Sequence, residues 1–155
     1  CHSAENLPMA PRTPILTKRR LLLVTLVAAG SLLTACLSSA QGQVLTEMNA
    51  DRSANGLRTL PSQADAQRKA QAWAEKLARE GKLYHSTLSD GISVRWCSLG
   101  ENVGYGPDVP TIQDAYMNST GHRANILSTK WNGVGVGYAK SGTRVYTVQV
   151  FIKTC

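Results

Sequence analysis

The chain has little charge, few aromatic residues and few histidines. Among its 155 residues, 17% are charged, 6% are aromatic and only three are histidines. Apart from residues 18–20, the basic residues are scattered and are not interleaved with aromatic residues, which argues against nucleic acid as a partner. No internal repeat is visible. The hydrophobic content of 43% is that of an ordinary globular protein.

The N-terminal apolar run is too short to cross a bilayer comfortably. Residues 21–35 carry no charge but number only 15, whereas about 20 apolar residues are needed. Because this run follows three basic residues, it predicts a secretory signal. The run ends in Leu33-Thr34-Ala35-Cys36, which resembles a bacterial lipobox and predicts a mature chain that begins at a lipidated Cys36. Ordinary signal cleavage after Ala40 is the alternative.

These signals divide the chain into three parts. Residues 1–35 are predicted to be an N-terminal extension with the signal peptide, residues 36–43 a tether, and residues 44–155 a single domain. Loss of residues 1–35 removes four basic residues and one acidic residue, so the formal charge falls from +7 to +4. The predicted location is extracytoplasmic, either lipid-anchored in the cell envelope through Cys36 or secreted.

Three cysteines remain in the predicted mature chain: Cys36, Cys97 and Cys155. If Cys36 carries lipid, two remain to pair, and an oxidising compartment outside the cytoplasm permits a disulfide between Cys97 and Cys155. Two free buried thiols are the alternative.

Two helices open the predicted domain. Apolar residues at helical spacing indicate a first helix over residues 44–54, which Gly56 ends. Ser62 followed by Asp65 predicts the start of a second helix, which runs to Gly81. Its apolar stripe comprises Ala66, Ala70, Trp73, Ala74 and Leu77.

The second half of the chain is predicted to be a loop, a broken helix and a hairpin. Residues 83–110 are glycine-rich and loop-like, a helix begins near Thr111, and Gly121 redirects it. Alternating residues over 131–138 and 144–153 predict a β-hairpin, and hence an α+β fold with a small antiparallel sheet. Glycines at positions 133, 135 and 137 predict close approach of the His122 helix or of a ligand.

Three ionisable residues are the candidates for chemistry: His85, Glu101 and His122. Without the signal, these two histidines are the only ones in the chain. Two imidazoles and a carboxylate can bind a divalent cation such as Zn²⁺ or Mg²⁺, carry out acid-base chemistry, or form a structural hydrogen-bond network. The structural alternative assigns Asn102, Arg123 and Asn125 to backbone groups of the irregular loops.

The order and spacing of several motifs resemble those of a bacterial CAP domain, also called SCP-like, of the cysteine-rich secretory protein, antigen 5 and pathogenesis-related superfamily. The resemblance covers about residues 45–152. It implies a secreted three-layer α-β-α sandwich with a cleft lined by a His-Glu-Glu-His tetrad. The motifs are His85, Gly100-Glu101-Asn102, Gly121-His122-Arg123-x-Asn125-Ile126-Leu127 and Gly133-Val134-Gly135-Val136-Gly137.

Three of the four tetrad members are matched, by His85, Glu101 and His122. Ser119 stands near the expected place of the missing acid, and Asp114 is the nearest carboxylate. The residues predicted to line the cleft are therefore the matched three together with Ser119 and Asn102.

Hydrolysis requires a nucleophile or an activated water and an oxyanion site. The nearby hydroxyls have no G-x-S-x-G setting, and only one carboxylate of a pair is present. The sequence thus favours a monomeric binding module for a small lipidic or envelope ligand, anchored to a membrane through Cys36. The alternative is a hydrolase that acts on peptide or cell-wall material through His85, Glu101 and His122. The hydroxyls considered are Ser86, Thr87, Ser119 and Thr120.

Overall fold

The computed structural model describes residues 36–155. The predicted signal peptide and the first three lipobox residues lie outside these described residues. Among the described residues, no helix is both long enough and apolar enough to cross a membrane. The elements are α1 (Ser39–Ala54), α2 (Ala64–Glu80), β1 (Trp96–Gly106), α3 (Val109–Met117), α4 (Thr120–Ile126), β2 (Gly133–Ser141) and β3 (Arg144–Thr154).

Helix α1 begins five residues before the predicted start. Ser38 is the N-cap, and its hydroxyl accepts a hydrogen bond from the backbone of Gln41, whose side chain accepts one from the backbone of Ser38. This reciprocal pair satisfies two backbone donors that would otherwise lack partners. The prediction of a tether over residues 36–43 was therefore wrong for most of its length.

Helix α2 is confirmed, but its cap differs from the prediction. Gln63 is the N-cap, and its side-chain oxygen accepts a hydrogen bond of 2.8 Å from the backbone of Ala66. Ser62 lies one residue before the cap and forms a β-bridge with Val134. The helix ends as predicted at Gly81, whose φ of 65° is a left-handed conformation that glycine adopts without strain.

The sheet has three antiparallel strands in the order β1-β3-β2. The hairpin of β2 and β3 confirms the prediction, and β1 corrects it, because this segment was predicted to be mainly loop. The glycines of this segment suggested a loop. In the structure, side chains from other elements pack into the space that Cβ atoms at these glycines would occupy. A Cβ at Gly104 would lie 2.8 Å from the ring of Tyr116, and one at Gly100 would lie 3.0 Å from Trp131.

The broken helix is confirmed, with shifted boundaries. Helix α3 begins earlier than predicted because Asp108, not Thr111, is the cap and accepts a hydrogen bond from the Thr111 backbone. The break falls at Asn118 and Ser119, and Gly121 lies inside α4 rather than between the helices.

The three layers confirm the predicted α-β-α sandwich. Helix α2 covers one face of the sheet, and α1, α3 and α4 cover the other. Each face of the sheet has its own apolar core, because side chains alternate along β3. The α2 core includes Ala66, Ala70, Leu77, Val148, Val150 and Ile152, and the opposite core includes Met48, Ile112, Tyr116, Ile126, Val134 and Phe151.

The glycines in β2 allow the backbone of α2, and not the helix that carries His122, to approach the sheet closely. A Cβ at Gly135 would lie 2.0 Å from the carbonyl carbon of Ala66, and one at Gly137 would lie 2.1 Å from the oxygen of Ala70. The predicted close approach to these glycines is therefore confirmed, but the segment that approaches is α2 and not the helix that carries His122.

Side chains of α2 also cover the outer edge of β2. The amide of Gln67 bonds both the N–H and the C=O of Val136, and the amide of Gln71 does the same at Tyr138. These bonds replace a neighbouring strand and protect an edge that could otherwise pair with another chain.

Candidate functional site

Glu101 lies at the centre of a compact hydrogen-bond cluster. Its Oε1 is 2.8 Å from Nδ1 of His85 and accepts a 2.9 Å bond from the backbone N–H of Ser86. Its Oε2 accepts a 2.5 Å bond from the Ser86 hydroxyl. The Glu101 side chain is 1% exposed, whereas that of His85 is 60% exposed. The carboxylate is thus buried, with both oxygens bonded, and the imidazole beside it is exposed.

Strand β1 determines where Glu101 points. Glu101 shares the α2 face with Val103, and Asn102 between them points to the other face, because successive side chains of a strand alternate. Glu101 was predicted to lie in a loop, so the alternation of side chains along a strand could not be used to predict its orientation.

Two charged residues of α2, Lys69 and Asp65, hold the loop that carries His85, and neither was predicted to belong to the site. Lys69 donates hydrogen bonds of 2.7 and 2.9 Å to the carbonyl oxygens of Thr87 and Asp90. Burial lowers the pKa of Lys69, and the negative charges of Glu101 and Asp90 oppose that shift. The feature of the sequence that could have identified Lys69 is its position on the apolar side of an amphipathic helix.

Asp65 holds the far end of the same loop. Its carboxylate accepts bonds from the hydroxyl and backbone N–H of Ser93 and from the backbone N–H of Val94, at 2.7 to 2.8 Å. Led by the Ser93 hydroxyl, these bonds lower the pKa of Asp65 from 3.8 to about 2. The loop is therefore tied to α2 by a cation and by an anion.

His122 forms one wall of a separate pocket of about 230 Å³. Its ring centroid is 5.0 Å from that of Tyr116. Burial lowers the pKa of His122, and the charge of His85 lowers it further, so the ring is neutral at pH 7. The other residues that line the pocket are Leu83, Val103, Gly104, Tyr105, Ile112, Ala115 and Ser119.

The remaining candidates, serine, aspartate and asparagine side chains, occupy different positions around the site. Ser119 lines the His122 pocket, but Asp114 is exposed and does not line it. Asn102 is buried and donates a 3.2 Å bond to the carbonyl oxygen of His122. Asn125 donates to the carbonyl oxygen of Glu101 and to the side chain of Asn102. Both asparagines thus bond backbone groups, as the structural alternative expected, but those groups belong to α4 and β1 and not to irregular loops.

Arg123 does not have the role expected of it. It is exposed, and within residues 36–155 its side chain makes no hydrogen bond to a backbone carbonyl. Arg52 of α1 bonds backbone groups instead, with a 2.6 Å bond to the carbonyl oxygen of Ile126, the last residue of α4, and a 2.9 Å bond to that of Ser128. Arg52 is 1% exposed, and its interactions stabilise the helix that carries His122.

The three ionisable residues do not form a metal site in this arrangement. Over residues 36–155, no three His, Cys, Asp or Glu side chains are grouped so as to hold a metal ion. The Glu101 carboxylate is occupied by His85 and Ser86, and the backbone N–H of Ser86 cannot be exchanged for a cation. Binding of Zn²⁺ or Mg²⁺ by His85, Glu101 and His122 therefore stays a prediction.

Two cavities lie along β1 beside the ionisable residues. The first is the His122 pocket, and the second, of about 380 Å³, is lined by His85, Ser86, Leu88, Gly100, Glu101 and Asn125. We call the two cavities together the β1 cleft. The cleft combines a fixed acid, an exposed imidazole and an apolar recess.

The predicted disulfide is confirmed. Cys97, at the start of β1, is bonded to Cys155, so the C-terminus is joined to the strand that carries Glu101. Cys36 is the free cysteine of the described residues and is exposed.

Comparisons with known proteins give matches in sequence and in fold. The model of the CAP family, described as the cysteine-rich secretory protein family, matches residues 45–152. Protein YkwD of Bacillus subtilis is 29% identical over 122 residues, which cover 73% of this chain and 47% of YkwD. The chain thus spans about half the length of this curated relative.

Solved structures show the same fold. An extracellular protein containing a SCP domain from Bacillus anthracis is 25% identical with a TM-score of 0.64, over 74% of this chain and 40% of that one. An outer surface protein from Borrelia burgdorferi is 18% identical with a TM-score of 0.64, over 74% of this chain and 92% of that one.

Proposed function

Since the chain belongs to the CAP, or cysteine-rich secretory protein, family, we propose that it is an exported protein that uses the β1 cleft to bind a small ligand with an apolar part. The observation that carries this proposal is that both oxygens of Glu101 are engaged within the protein. Both of its oxygens are bonded to groups of the protein, and the side chain is 1% exposed. An acid held in this way supports the shape of a binding site more readily than it exchanges protons with a substrate.

The lining of the His122 pocket favours an apolar group with a neutral polar end. Its walls are mainly the side chains of Leu83, Val103, Ile112 and Tyr116. His122 is neutral at pH 7 because burial lowers its pKa, so it offers a hydrogen bond rather than a positive charge. A lipidic ligand, or an envelope component with an acyl or similar group, meets both requirements.

Binding of a fluorescent fatty acid tests this proposal. Protein that comprises residues 36–155 is titrated with the probe, and saturable binding is expected. Ala115 lines the pocket on α3, so Ala115→Trp should fill it and weaken binding at least tenfold. Ala124→Trp is the matched control, because Ala124 is an exposed helical alanine outside the pocket. Equal loss in both variants, or no saturable binding by the parent protein, contradicts the lipidic ligand.

Export and anchoring rest on the N-terminal sequence. The short apolar run and the string Leu33-Thr34-Ala35-Cys36 support removal of the signal and lipidation of Cys36. Mass spectrometry of the membrane-associated protein should give an N-terminal peptide that begins at a modified Cys36. Cys36→Ala should release the protein from membranes, whereas an N-terminus at position 41 contradicts lipidation.

A hydrolase is the second candidate, and one observation favours it. Glu101 holds Nδ1 of His85 at 2.8 Å, and within residues 36–155 no hydrogen bond engages Nε2 of the exposed ring. A carboxylate that orients a histidine in this way occurs in acid-base catalysis. The Ser86 hydroxyl donates to Glu101, so it is not aligned as a nucleophile toward His85.

The two candidates respond differently to Glu101→Gln. This change removes the charge and retains the approximate shape. A hydrolase that uses His85 should lose most of its activity on peptide or cell-wall substrates, by two orders of magnitude or more in kcat. A binding module should keep its affinity for the fatty-acid probe within a few-fold, provided that circular dichroism confirms an unchanged fold.

A further inference from the structure

We propose that anchoring through Cys36 holds the β1 cleft on the side of the domain that faces away from the membrane, so that its ligand arrives from the aqueous side and not from the anchoring bilayer. This inference rests on the proposed lipidation of Cys36. It adds the orientation of the domain and, with it, the direction from which the partner comes.

The anchor has almost no tether. Only Leu37 separates Cys36 from Ser38, the N-cap of α1. The first turn of α1 is held by the hydrogen bonds between Ser38 and Gln41, and Gln41 also donates a 2.7 Å bond to the side chain of Gln71 on α2. Two residues extend about 7 Å at most, so lipid on Cys36 would keep this corner of the domain at the membrane surface.

This corner lies at the β2 edge of the sheet. Cys36 and Leu37 line a groove together with Gln67 and Gln71. The same two glutamines bond the outer backbone edge of β2, at Val136 and Tyr138. The anchor point is therefore outside β2, beside the outward side of α2.

The β1 cleft lies at the opposite edge. Strand β1, which carries Glu101, is separated from β2 by the central strand β3. Two strand spacings of about 4.8 Å place the backbones of β1 and β2 roughly 10 Å apart. His85 and the exposed Leu83 and Tyr105 line the cleft together with residues of β1.

The orientation of the domain determines which molecules can reach the cleft. Lipid embedded in the anchoring bilayer meets the β2 edge and cannot reach a cleft on the far edge while Cys36 remains fixed. We therefore expect the ligand to be a soluble molecule that carries an apolar group.

Energy transfer from the domain to the membrane surface tests the orientation. Cys36 is the free thiol of residues 36–155, so it can be joined to a maleimide phospholipid in phosphatidylcholine vesicles that contain a surface acceptor dye. A donor dye is placed through an azide-bearing residue, either at Thr87 beside the cleft or at Lys140 near the end of β2, both of which are exposed. We expect the donor at Lys140 to lose more fluorescence than the donor at Thr87. Equal loss, or greater loss at Thr87, overturns the proposal.

A long linker provides the control. Insertion of about 20 Gly and Ser residues between Leu37 and Ser38 gives a flexible span of about 25 Å and should abolish the difference between the two donors. A difference that persists with this linker contradicts the role of the short connection. An unmodified Cys36 in the native membrane fraction also overturns the inference. Loss of fatty-acid binding alone defeats the proposed function and leaves the orientation intact, so the two failures are distinguishable.

Discussion

Asp51 on α1 and Asn125 on α4 lie at the two ends of one chain of side-chain hydrogen bonds that runs across one face of the sheet. The chain passes through four amides, and each amide donates to the next member in the direction of Asp51. The Asp51 carboxylate can only accept, so it determines the orientation of every amide before it. The bonds run from Asn125 to Asn102 at 2.9 Å, to Gln149 at 3.0 Å, to Gln113 at 2.8 Å and to Asp51 at 2.7 Å.

Replacement of Gln149 should therefore destabilise the protein. Gln149 is completely buried, and Gln149→Leu leaves the oxygen of Gln113 without its donor and Asn102 with one acceptor fewer. An unsatisfied buried polar group costs roughly 1–3 kcal/mol, so we expect the free energy of unfolding to fall by about 2 kcal/mol. Urea denaturation measures this loss. Asp51→Asn, at the half-buried end of the chain, should cost less, and an equal cost contradicts the account.

Acid stability should depend on Asp65. Hydrogen bonds from Ser93 and Val94 lower its pKa from 3.8 to about 2 in the folded state. The stabilisation is therefore complete above the unfolded pKa of 3.8 and is lost as the pH falls toward 2. Asp65→Asn should lower stability at neutral pH and flatten the decline between these two values. Asp90→Asn, an exposed change on the same loop, is the control. Parallel denaturation curves for Asp65→Asn and the parent protein would refute the assignment.

Two glycine substitutions should have opposite effects. Gly135→Ala places a Cβ 2.0 Å from the backbone of Ala66, so α2 must move away from the sheet. We expect this variant to unfold or to lose several kcal/mol, as overpacking against backbone does. Gly121 lies in α4, and no atom lies within 4 Å of the position that a Cβ would take there, so Gly121→Ala should stabilise the helix by about 0.5–1 kcal/mol. Thermal melts compare the two, and a stable Gly135→Ala variant would contradict the packing.

The proximity of the two histidines can be measured by NMR titration. The pKa of His122 should lie below 6.5, first because of burial and second because of the charge on His85. His85→Ala removes the second cause and should raise the pKa of His122, but not to its ordinary value, since burial remains. Thr87→Ala, an exposed change on the same loop, should leave the pKa unchanged. An unaltered value in His85→Ala would show that the imidazoles do not interact.

Local patterns predicted much of the fold. The apolar stripe of α2, its glycine stop and the alternation in the final hairpin are properties of neighbouring residues, so they could be recognised in the sequence. Strand β1 could not be recognised in this way. Its glycines, Gly100, Gly104 and Gly106, are equally compatible with a turn and with a strand against which side chains from distant parts of the chain pack. Here Trp131, Tyr116 and Ile112 fill those positions.

The candidate site was predicted in part. Spacing and motif selected His85, Glu101 and His122, and the structure brings His85 onto Glu101 at 2.8 Å. In the structure His122 lines a separate pocket, and the other carboxylate oxygen of Glu101 accepts a hydrogen bond from the Ser86 hydroxyl. The roles of Lys69 and Asp65 were missed because most of their partners are backbone groups 18 to 29 residues away, and the sequence does not show which backbone groups a side chain will bond.

The sequence by itself determined the family, the order of most elements and the identity of the ionisable residues, because these depend on residue type and short-range spacing. Only the tertiary structure decided how those residues are bonded and which side of the domain carries the cleft. The cause is that strand β1 pairs with the distant strand β3, with Glu101 opposite Val150, and that pairing turns Glu101 toward α2 and Asn102 toward α4.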